Sequence, residues 1–155
     1  MVRSKGVTAF AIYFIVLSAT IFINQLSTLV SYVLDLIKAP SEGGSLLSSY
    51  FSSSPVSIFT LIVAAVGVIG AILLLRAALN VMATRENAIS SLRLSAFVLI
   101  LYELLAIGDV VRGVMTGTGA GYFDSYSIPL SLAYVIFWLF VLKFFSDRED
   151  QFPSY

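Results

Sequence analysis

The stretch LYELLAIGDVVRG, residues 101–113, sets Glu103, Asp109 and Arg112 among Leu, Ile, Val and Ala. Two acids and a guanidinium are the groups from which a general acid, a general base and an anion clamp are made. Asp109 and Arg112 stand an i, i+3 step apart, at which opposite charges on a helix meet. Ser95, Tyr102 and Asp109 recur at heptad spacing, which puts the phenol and the carboxylate on one helix face. Glu103 is different, because no basic residue elsewhere in the chain falls at its depth in an apolar segment. A charged carboxyl at the centre of a membrane costs several kcal/mol. As a neutral acid Glu103 can donate a hydrogen bond, to a backbone carbonyl or to Thr20. As a carboxylate it can hold a cation or relay protons.

A second pattern lies near the N-terminus, where Thr20, Asn24, Thr28, Ser31 and Asp35 recur at spacings of four, four, three and four. At about 100° per residue they share one helix face, which Tyr13 and Leu17 continue inward. A polar face inside a membrane must meet protein or water. The ordinary use is hydrogen bonding to neighbouring helices, worth about 0.6–2 kcal/mol per contact; the sharper one is the lining of an outward-facing cavity. The charged helix is expected to present the matching face, with Arg112 in reach of Asp35. The candidate polar or ion site is therefore Glu103, Asp109, Arg112, Tyr102, Asn24, Thr28 and Asp35. For Asp109 and Arg112 the ordinary alternative is an interfacial salt bridge that sets helix register, the guanidinium snorkelling to the surface.

These residues need apolar elements to carry them. The chain has 155 residues, 59% hydrophobic and 12% charged, where a soluble domain has about 25% charged. A spanning helix needs about 20 apolar residues, and four runs qualify. The expected helices cover about 7–36, 56–77, 92–115 and 127–146, in a single domain over 1–155. Outer loops fall at about 38–55 and 116–126, and the inner stretch RAALNVMATRENAISSLR is able to extend helices 2 and 3 into the cytoplasm. The apolar run after Arg3 and Lys5 is too long for a signal-peptide core, so a retained first helix is expected. Seven Lys and Arg residues (Arg3, Lys5, Arg76, Arg85, Arg93, Lys143 and Arg148) fall on one side of these helices, and Lys38 and Arg112 on the other. The positive-inside rule then puts both termini in the cytoplasm.

Two helices carry packing signals. Helix 2 holds Gly67, Gly70 and Ala71, small residues that let helices approach closely, within the bundle or against another protein. Helix 4 is aromatic, and its deeper rings, Trp138 and Phe140, are expected to face lipid or another subunit.

Several function classes are excluded. The chain has no Cys and no His, which removes thiol chemistry, imidazole metal sites and a Ser–His triad. Net charge is zero with scattered basic residues, against nucleic acid as a partner. The GTGAG of the second outer loop follows no strand, so no nucleotide site is read into it. Helix 4 lacks the arginine series of a voltage sensor, and the outer-loop cysteines of claudins and tetraspanins are absent. No cofactor is expected.

The expectation is an all-α bundle of four transmembrane helices in a membrane such as a prokaryotic plasma membrane. As to function, the reading is a non-catalytic integral subunit that stabilises or assembles a larger membrane protein complex. Its partners would be the lipid bilayer and other integral membrane subunits, with a homo-oligomer as an option. The alternative is a small oligomeric channel or transporter using Glu103 with the polar face of helix 1. A third reading is a membrane enzyme using Glu103, Asp109 and Arg112.

Overall fold

The computed structural model describes residues 5–38, 58–83, 87–116 and 127–147. They form four helices: α1 Lys5–Lys38, α2 Ile58–Met82, α3 Ala88–Thr116 and α4 Ser127–Ser146. Each is long and apolar enough to cross a membrane, and among the described residues there is no strand. A hydrocarbon core cannot hydrogen-bond backbone groups, and helices satisfy them internally. At 1.5 Å per residue the 34 residues of α1 reach about 51 Å, well beyond a bilayer core of about 30 Å. α2 runs on to Met82 and α3 begins at Ala88, so the polar inner stretch is largely helical extension. The outer loops fall outside the described residues.

The helices pack in chain order, α1 on α2, α2 on α3 and α3 on α4. The ring closes through side chains between α4 and α1. Phe10 meets Phe144 with ring centroids 4.8 Å apart, Phe14 meets Trp138 at 5.8 Å, and Tyr13 meets Phe137 at 5.7 Å. Trp138 is 1% exposed and belongs to the core, which corrects the expectation that it faces lipid or a subunit. A continuous aromatic helix does not reveal which ring turns inward. Phe140, at 55% exposure, does face outward.

The core sits at the end of the bundle that holds the chain's first helical turn. Val7, Ala11 and Phe14 of α1 meet Leu74, Ala77 and Val81 of α2, Leu92 and Ala96 of α3, and Val141 and Phe145 of α4. Alanines at 0% exposure on α2 and α3 allow the close approach on which membrane helix association depends. At the same end, Asn80 Nδ2 donates to Ser91 Oγ at 3.0 Å and ties α2 to α3. Large apolar side chains such as Ile23, Ile69, Phe97 and Ile136 point outward, as a lipid solvent permits. The other side-chain hydrogen bonds between helices, Gln25 to Tyr102 and Thr60 to Asp109, lie farther toward the opposite end.

Candidate functional site

The candidate residues separate into three places. The first lies inside the bundle, halfway along α1 and α3. Gln25 Nε2 donates to Tyr102 Oη at 2.7 Å, across a gap that Gly67 of α2 keeps open. A Cβ at position 67 would stand 2.7 Å from Gln25 Cγ and 2.9 Å from Tyr102 Cε2. The glycine is thus needed for a close approach, and the hydrogen bond passes over it. One residue on, Glu103 is buried at 8% exposure, with Ser131 of α4 beside its carboxyl. Thr20, suggested as its partner, instead donates to its own helix, to Val16 O at 3.0 Å. The threonine is exposed on α1, whereas Glu103 turns toward α4.

Gly70 and Ala71 extend the close-packed surface of α2. A Cβ on Gly70 would come 2.9 Å from Leu99 Cδ2, and Ala71 is 1% exposed. The small residues of α2 are therefore consumed within the chain, against α1 and α3.

The second place is nearer the loop ends of α2 and α3. Arg112 Nη2 lies 3.0 Å from Asp109 Oδ1, and Arg112 Nε donates to the same oxygen at 3.3 Å. Thr60 Oγ1 of α2 donates to the other oxygen, Asp109 Oδ2, at 2.8 Å. The carboxylate is thus held by its own helix on one side and by α2 on the other. An ion pair this accessible contributes about 0–1 kcal/mol.

The third place is the outside of α1. Asn24 and Ser31 are exposed and Thr28 is half-buried, its Oγ1 donating to Asn24 O at 3.1 Å. The residues that bury α1 in the bundle, Phe14, Ser18 and Tyr32, lie on a different face. The polar stripe therefore does not meet the face of α3 that carries Tyr102 and Asp109, contrary to expectation. The contact with Tyr102 comes from Gln25, about 100° around the helix from Asn24. The Asp35 side chain lies outside the described residues, and with it the expected reach from Arg112.

Three contributors escaped the sequence reading: Gln25, Ser131 and Thr60. Gln25 had a signal, as a second amide in an apolar run. Ser131 and Thr60 had none, because hydroxyls in membrane helices commonly bond to their own backbone. Among the described residues no cluster of acids is close enough to hold a metal ion. Compared with protein-family models, curated proteins and solved structures, the chain matches none of them.

Proposed function

We propose that the protein is a non-catalytic integral membrane subunit that stabilises or assembles a larger membrane protein complex, with both termini cytoplasmic in a prokaryotic plasma membrane. The observation that supports this is the outer face of α1. Thr20, Asn24, Ser27 and Ser31 are exposed within the apolar span Gly6–Leu34, where lipid tails offer no hydrogen bonds. Another protein chain does. The polar groups between the helices fit the same reading, since Tyr102 and Asp109 each accept a hydrogen bond from another helix of the chain. Extraction from native membrane in a mild detergent tests it. The expected particle contains other membrane proteins at fixed stoichiometry. A chain recovered alone, or only with copies of itself, overturns the reading.

A second reading, a small channel or transporter, draws support from Glu103, a carboxyl buried inside a membrane helix. Its test is ion flux in liposomes holding this chain alone, with and without Glu103→Gln. Flux that survives the substitution overturns a proton relay through that carboxyl.

A further inference from the structure

We infer that the protein carries a phospholipid site toward the C-terminal end of α2. Arg76 holds the phosphate of an anionic glycerophospholipid there, and the groove between α1 and α2 takes an acyl chain. The site goes beyond the subunit reading and does not rest on it.

Two cavities meet at Arg76. One, of about 350 Å³, lies between α2 and α3, where Asn87, Ser90 and Ser91 stand with Leu73 and Leu94 around the arginine. The other, of about 430 Å³, runs along α2, where Arg76 is joined by Asn80 and Asn87 and by Ile72, Leu75 and Leu79. Among the described residues no acid lines either cavity. Arg76 is exposed and makes no hydrogen bond or ion pair with any described residue, and the Asn87 carboxamide makes no hydrogen bond. Ser91 Oγ accepts from Asn80 Nδ2 at 3.0 Å, which leaves its own proton to donate. A guanidinium with amide and hydroxyl donors beside it, and no carboxylate to neutralise it, has the chemistry that binds phosphate.

Its depth suits a lipid. From Ile58 to Arg76, α2 rises about 27 Å at 1.5 Å per residue, close to a hydrocarbon core of about 30 Å. The guanidinium therefore stands at the level of headgroups, which basic pockets between membrane helices bind. An apolar path leads from it into the membrane. Ile72 and Leu75 also line a third groove, of about 470 Å³ between α1 and α2, with Ile15, Ala19 and Phe22 across from them. The one hydroxyl in this groove, on Ser18, donates to Ile15 O at 2.8 Å, so the groove offers a ligand little but hydrocarbon. Snorkelling explains an arginine near a helix end, but not the polar groups gathered around it or the groove that begins beside it. A free phosphate would leave that groove unfilled. The ammonium of a zwitterionic headgroup would find no carboxylate, so the lipid is one of net negative charge.

Native mass spectrometry of the whole chain, purified in a mild detergent and mixed with dioleoyl phosphatidylglycerol, tests the site. The parent should retain this lipid and release dioleoyl phosphatidylcholine. Arg76→Gln should weaken phosphatidylglycerol binding at least about tenfold, the loss of a charge-assisted hydrogen bond, and Arg76→Lys should restore part of it. Ala19→Phe, which fills the groove, should weaken binding about tenfold, the effect of roughly two methylenes left unburied. Both side chains are exposed, so these variants should unfold at the parent's temperature in lipid-free detergent. Lys143→Gln, an equal change of charge at an exposed position of α4, should leave binding unchanged. Equal losses in Arg76→Gln and Lys143→Gln, or equal retention of the two lipids, overturn the site. Displacement of the lipid by inorganic phosphate assigns the cavity to free phosphate and overturns the lipid. A copurifying protein lost on Arg76→Gln also overturns the lipid, and leaves the subunit reading standing.

Discussion

Gln25, Gly67 and Tyr102 form a tight junction among α1, α2 and α3, and each makes a separate prediction. Tyr102→Phe removes the acceptor for Gln25 Nε2 and should cost about 0.6–1.7 kcal/mol, the range for interhelical hydrogen bonds in membranes. Gly67→Val should cost more, about 1–3 kcal/mol, because even a Cβ already lies within 3.0 Å of two side chains. Both are read from unfolding midpoints in detergent, and a Gly67→Val protein as stable as the parent would contradict the close approach. The charged stretch from which the sequence reading began has a different answer at each of its three residues. Asp109 and Arg112 pair along one helix, as their i, i+3 spacing indicated. Glu103 instead turns to a serine of α4, a partner that no local pattern specifies.

Among the elements, α4 depends most on its aromatic rings, because it meets α1 by side chains and packs closely only on α3. Trp138, wedged against Phe14 at 1% exposure, should be the critical ring. Trp138→Ala should destabilise the protein by about 3–5 kcal/mol, whereas Phe140→Ala, on the outside, should change stability by no more than about 0.5 kcal/mol. Thermal unfolding of the two variants side by side checks this; equal losses would mean that α4 does not use Trp138 as its anchor. Six aromatics spread around α4 announced a ring-rich helix but not its rotation, since lipid and protein interior both accept apolar groups. α1 behaves in the opposite way. Its polar face was legible in the sequence from the spacing of Thr20, Asn24, Thr28 and Ser31. Only packing against α2 and α3 turned that face outward and brought Gln25 inward.

For the whole molecule, the up-and-down order of four helices puts the start of α1 and the end of α4 at the same end as the α2–α3 connection. The absence of Cys allows this to be mapped residue by residue. Ser90→Cys and Ser146→Cys, both exposed, should react with a membrane-impermeant maleimide from the cytoplasmic side. Met115→Cys, 82% exposed at the far end of α3, should react only from outside. Labelling of positions 90 and 146 from opposite faces would break the topology, and labelling of both from outside would invert it.

The membrane class, the four helices and the arrangement of charge between their two ends follow from composition and run length. Long apolar segments have few choices in lipid: each must satisfy its own backbone, and helices do so. The partners of Glu103, the inward side of α4 and the fate of the α1 stripe are of another kind. In water, periodicity reveals a buried face because only one side of a helix is apolar. Here both sides are apolar, so helix rotation is decided by how small residues such as Gly67 and rings such as Trp138 interlock, and that information exists only when the four helices stand together.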